Sequence, residues 1–84
     1  MAGKSRQISV RAFGVTRLKN TVNGNPRFRL HTDQGDYLIQ SDAACGYEVE
    51  NYTNRIPSDG SGLPLILTVT PADRFFGIAD DPDA

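Results

Sequence analysis

One histidine, His31, one cysteine, Cys45, and nine lysine or arginine side chains are the groups of this chain with the widest chemical repertoire. A nucleophilic enzyme needs a hydroxyl or thiol beside a base, and Cys45 with His31 is the pair that can be written here. No local signature surrounds Cys45, and the same pair plus an Asp or Asn can be written for almost any chain holding one of each. A small buried thiol on a helix and a surface imidazole on a strand are the plainer readings. One Cys and one His do not close a structural zinc site, and the acids fall in turns without calcium-loop spacing. Phosphate-binding glycine loops are missing too, since Gly24, Gly35 and Gly46 punctuate turns. Asp33 and Asp36 flank a hairpin, where Asp is common for turn geometry alone. The sequon Asn51-Tyr52-Thr53 has meaning only in a secreted chain. The sequence therefore predicts a protein that is not an enzyme, with no catalytic residue, metal or cofactor.

Binding is better served. Arg27-Phe28-Arg29-Leu30-His31 alternates polar and apolar residues, so a strand there buries Phe28 and Leu30 and turns Arg27, Arg29 and His31 outward together. Arg17 and Lys19 are expected to approach this row from the preceding strand, and Tyr37 from the following one, as a surface on which a base could stack. The competing reading is the ordinary solvated side of a half-buried sheet, with Asp33 and Asp36 near enough to offset the cations.

Charge is unevenly distributed along the chain. The first seven charged residues, Lys4 to Arg29, are all basic; from Asp33 onward ten acids face only Arg55 and Arg74, so +7 and −8 give the net −1. Such a chain is a dipole if the fold keeps its halves apart and a self-neutralising lattice if it interleaves them. An acidic sequence pI near 5.6 argues against general affinity for nucleic acid, which needs an uncompensated basic patch.

The elements that must position these residues are short. Eighty-four residues with 38% hydrophobic content make one domain over 1–84, with an ordered core about 6–79, flexible residues 1–5 and an acidic tail at 80–84. At about 0.05 to 0.15 kcal/mol per residue its stability should total roughly 4 to 13 kcal/mol, with no disulfide to help because Cys45 is alone. Ile8 to Leu18 reads as a long strand that changes face near Gly14, where a bulge or bend would turn a barrel corner. An Asn-rich loop closed by Pro26 leads to the second strand. Thr32 to Asp36 is a hairpin returning through Tyr37 to Gln40, with Gly35 in the left-handed position. Ser41 or Asp42 caps a helix to about Asn51 that places Cys45, Val49 and Tyr52 on one face; the alternative is a single turn ending at Gly46 and a strand from Tyr47 to Asn51. Leu63 to Thr70 and Arg74 to Ala79 form the last hairpin. The fold class is mainly β (α+β): a five-stranded antiparallel partial barrel in the order β-β-β-α-β-β, shared by oligonucleotide-binding (OB) barrels, with an SH3-like barrel as the alternative.

Val22 to Thr32, then Gly35, Tyr37, Gln40-Ser41-Asp42-Ala43 and Gly46 to Asn51, resemble short uncharacterised proteins of actinobacteria and their bacteriophages. The resemblance covers about a third of the chain and brings no known activity. It implies a bacterial host cytoplasm and an accessory role, in which binding a host or phage macromolecule is the expected work. The reading is thus a small non-catalytic binding module, with a protein partner leading and single-stranded nucleic acid on the Arg27, Arg29, His31 face as the alternative. No membrane segment is expected, and exposed sheet edges offer a route to homo-oligomers.

Overall fold

The computed structural model describes residues 4–83, so most of the N-terminal stretch assigned as flexible, and Ala84, lie outside it. Five strands are present: β1 Arg6–Leu18, β2 Arg27–Thr32, β3 Gly35–Ile39, β4 Leu63–Val69 and β5 Arg74–Asp80. Hydrogen bonding runs β1-β2-β3-β5-β4 and back to β1, a ring with the strand order of an OB barrel. The SH3-like alternative is not the arrangement found, because the helical segment lies between β3 and β4.

The antiparallel pairing expected of the barrel holds at every junction but one. β3 and β5 run parallel, paired only at Leu38 with Arg74 and Ile39 with Phe75, and Gln40 N donates to Phe75 O at 2.7 Å. A helical crossover joins β3 to β4, and the hairpin that follows brings β5 back beside β3 in the same direction, which local hairpin reasoning does not reach. The sheet is therefore mixed, and the ring is closed by a short stretch.

β1 is long because it serves two partners. Arg6 to Ala12 pair with β4 and Ala12 to Leu18 with β2, with a register shift between Ala12 and Gly14. The bulge expresses the expected change of face: Val10 and Ala12 point inward before it, whereas Val15 and Arg17 stand opposite the inward Leu30 and Phe28 after it. Gly62 marks a tight spot, since a Cβ there would lie 2.9 Å from both Arg11 Cβ and Phe13 Cε1, with φ at +83°.

Inside the ring, Val10, Ala12, Phe28, Leu30, Ile39, Leu65, Leu67, Val69 and Phe75 form one buried cluster. The helix expected from Ala43 to about Asn51 is broken into a 3₁₀ turn, Ala44–Tyr47, and a short α1, Val49–Thr53. Gly46 is buried in the turn, where a Cβ would meet Pro26 at 3.3 Å. Cys45 and Val49 are still delivered to the core, closing one end of the ring, and Tyr52 packs against it. The strand alternative for Tyr47 to Asn51 is absent. Asp80, assigned to the tail, ends β5 and pairs with Arg55.

Candidate binding surface

Strand alternation on β2 holds: Phe28 and Leu30 are buried, and Arg27, Arg29 and His31 lie on the outer face. Register extends that face sideways. Arg29 stands opposite Thr16 on β1 and Leu38 on β3, and Leu38 stands opposite Arg74 across the parallel seam. Thr16, Arg29, Leu38 and Arg74 thus form one row over four strands, with an aliphatic side chain between two guanidinium groups. Among the described residues, Arg27, Arg29 and Arg74 have no carboxylate within ion-pair distance. Arg27 is half-buried, and its Nε is shielded from solvent with no hydrogen-bond partner.

Two of the predicted surface residues face elsewhere. Tyr37 stands opposite Leu30 and packs partly against the core, so it offers no platform beside the arginines. Arg17 stands opposite Phe28, sits over its ring at 5.2 Å, donates to Asn20 Oδ1 at 2.6 Å and lies 3.8 Å from Glu50. The cause is the bulge at Gly14: the reversal of face it introduces carries Arg17 away from Arg29. Lys19 is exposed just beyond β1, with no ion pair among the described residues.

His31 is tied on both sides. Its Nε2 is 2.7 Å from Thr16 Oγ1 and its Nδ1 is 3.0 Å from Asp36 Oδ1, so hydroxyl, imidazole and carboxylate cross three strands in line. The pattern is one that can activate a hydroxyl. Here it stands on an open outer face, with the His31 and Asp36 side chains 39% and 53% exposed, where water competes for every proton. Its contacts are cross-strand: it ties β1 and β3 to β2 and engages the Asp36 carboxylate. The partnership of Thr16 with His31 was beyond sequence reasoning, because the bulge sets the register that puts Gly14 opposite His31 and Thr16 diagonally within reach of its ring.

The β1–β2 loop, residues 19–26, is the second part of the surface. Asp42, held at φ +58°, accepts from Thr21 Oγ1 at 2.8 Å, Asn23 Nδ2 at 3.1 Å and Asn25 Nδ2 at 2.7 Å. The hydrogen bonds from Asn25, then Thr21 and Asn23, hold its carboxyl below the ordinary value of 3.8. Tyr47 donates its hydroxyl to Asn25 Oδ1. Backbone bonds from Thr21 N to Asn25 O and from Gly24 N to Thr21 O, both 2.9 Å, complete the loop. A fixed frame results, presenting Val22 fully to solvent, with Tyr47 exposed where it meets Asn25. The Asn-rich composition marks a turn, but only the fold shows that its amides converge on one carboxylate.

The remaining chemistry is quiet. Cys45 is buried, and burial pushes its thiol up to about 11, so it is a packing group with no nucleophilic form near neutral pH. No group of three metal-ligating side chains occurs among the described residues. A polar cleft beside β1 and β4 sets Arg11 among Asp33, Asp81 and Asp83. None of the described helices is long and apolar enough to cross a membrane. Comparison with family models, curated proteins and solved structures finds no match.

Proposed function

We propose that the chain is a binding module that contacts a protein partner through the β1–β2 loop and the adjoining outer face of β2. The observation that carries this reading is the loop frame: Asp42 fixes three side chains at once, while Val22 and Tyr47 remain uncovered. A loop ordered before binding loses little entropy when a partner arrives, and an exposed tyrosine is a side chain favoured at interface hot spots. The inward turn of Tyr37 removes the stacking group that a nucleic-acid reading places on the strand face. The resemblance to actinobacterial and phage proteins supports testing an actinobacterial lysate. Retention of a partner should survive nuclease treatment and fall at least tenfold on Val22→Ser with Tyr47→Ala, since two hot-spot side chains together account for roughly 2 kcal/mol or more. Retention that disappears with nuclease, or is indifferent to both substitutions, overturns the proposal.

A second reading, single-stranded nucleic acid on Arg27 and Arg29, is favoured by the OB strand order and by the lack of a carboxylate partner for Arg27, Arg29 and Arg74 among the described residues. It requires affinity for a single-stranded oligonucleotide that falls steeply with salt and drops on Arg27→Ala or Arg29→Ala. Binding that ignores salt and both substitutions eliminates it.

A further inference from the structure

The loop frame contains a reactive dipeptide. Asn23 is followed by Gly24, which has no Cβ to shield its backbone nitrogen and can rotate into conformations closed to other residues. Such a nitrogen can attack the preceding side-chain amide. Among the described asparagines the remaining four are poorly placed for this step: Asn20 precedes Thr21, Asn51 precedes Tyr52 in α1, Asn54 precedes Arg55, and Asn25 precedes Pro26, which has no N–H to lose.

In the folded loop both reacting groups are engaged. Gly24 N–H donates to Thr21 O at 2.9 Å, and Asn23 Nδ2 donates to Asp42 Oδ2 at 3.1 Å. The bonds that order the loop therefore also hold the amide away from its attacker, and reaction waits for local opening. Once it occurs it is not reversible by reclosing. An acid at position 23 cannot donate to Asp42 and sets a second negative charge against a carboxylate that already has its own donors.

We propose that Asn23 is a site of spontaneous covalent modification that releases the β1–β2 loop. Gly24 N attacks Asn23 Cγ, the Cγ–Nδ2 bond breaks and ammonia leaves, giving a cyclic imide. Water then adds to either imide carbonyl and yields Asp or isoaspartate. The gating by Asp42 makes the loop a clock: the tighter the frame, the slower the conversion, and anything that seats the loop slows it further.

The test uses the full chain held near neutral pH, with peptide mapping by mass spectrometry. Conversion at Asn23 should exceed that at Asn20, Asn51 and Asn54, and Asn23→Gln should abolish the signal at that peptide. Asp42→Gly tolerates the left-handed backbone and removes the carboxylate; it should speed conversion roughly tenfold, the opening factor for losing a charge-assisted hydrogen bond. Asn23→Asp, which imitates one product, should raise hydrogen exchange at the Gly24 and Asn25 amides by about the same factor. Conversion at Asn23 no faster than at the other asparagines overturns the proposal. So does an unchanged rate in Asp42→Gly, or unchanged exchange in Asn23→Asp.

Discussion

The β1–β2 loop and the outer face of β2 adjoin at Pro26, yet they treat their polar groups in opposite ways. In the loop, Thr21, Asn23 and Asn25 spend their donors on one carboxylate, leaving an apolar Val22 as the exposed feature. On the strand, Arg27 and Arg29 have no carboxylate partner among the described residues, whereas His31 at the far end is tied to one. Beyond Lys19 at its start, the loop has shape without free charge; the strand has free charge on a flat sheet. Fixed shape selects a partner by complementarity, whereas free charge speeds encounter and adds salt dependence, so the two regions have separable roles.

The comparison breaks most completely from underneath. Phe28 is buried below the arginine face and beneath the Arg17 guanidinium. Phe28→Ala should cost about 3 to 5 kcal/mol, a large share of the stability of so small a domain, and urea denaturation would register it as a lowered midpoint. Both regions should then fail together. Asp42→Gly should instead separate them: exchange of loop amides rises while those of β2 and β3 keep their protection, as native-state hydrogen exchange can resolve. Acid should imitate this substitution. Because hydrogen bonds depress the Asp42 carboxyl, its contribution is complete above its ordinary value of 3.8 and fades as pH falls through its lower folded-state value. Side-chain amide resonances of Asn23 and Asn25 should shift in that window, below 3.8, and β2 backbone signals should stay in place near its upper end. Loss of loop order well above 3.8 would show that something other than Asp42 holds it.

Much of this frame was legible in the sequence where interactions are local. Strand alternation placed Arg27, Arg29 and His31 outward, Gly35 announced the β2–β3 hairpin, and Gly14 marked a change of face. What stayed hidden depends on pairings between distant segments. The parallel seam joins residues more than thirty positions apart, which is how Arg74 comes to share a row with Arg29. Gly14 signals the bulge locally, but its extent does not show in the sequence, and a one-residue shift sends Arg17 to the opposite face. Asp42 reads locally as a helix cap; its side chain instead reaches back across seventeen to twenty-one residues to the loop. Charge behaves similarly: Arg6 with Asp73 and Arg17 with Glu50 show the two halves of the chain interleaved at those points. Such exposed pairs contribute little to stability, but they leave Arg27, Arg29 and Arg74 as an uncompensated group.

The finest separation lies within the arginine face. Arg29 is exposed and unpaired, so Arg29→Ala should alter stability by no more than about 0.5 kcal/mol. Arg27 differs because its Nε is shielded with no hydrogen-bond partner, a donor that gives up water and receives nothing in return. Arg27→Met keeps an unbranched apolar stem and deletes that donor, so it should leave stability unchanged or raise it slightly, by about 1 kcal/mol at most. Parallel thermal melts of the two variants decide the matter. A destabilised Arg27→Met would mean that the guanidinium satisfies groups across the sheet and is structural. An unchanged or stabilised one would leave a cation that brings the fold no benefit, as expected of a side chain retained for what it meets outside the molecule.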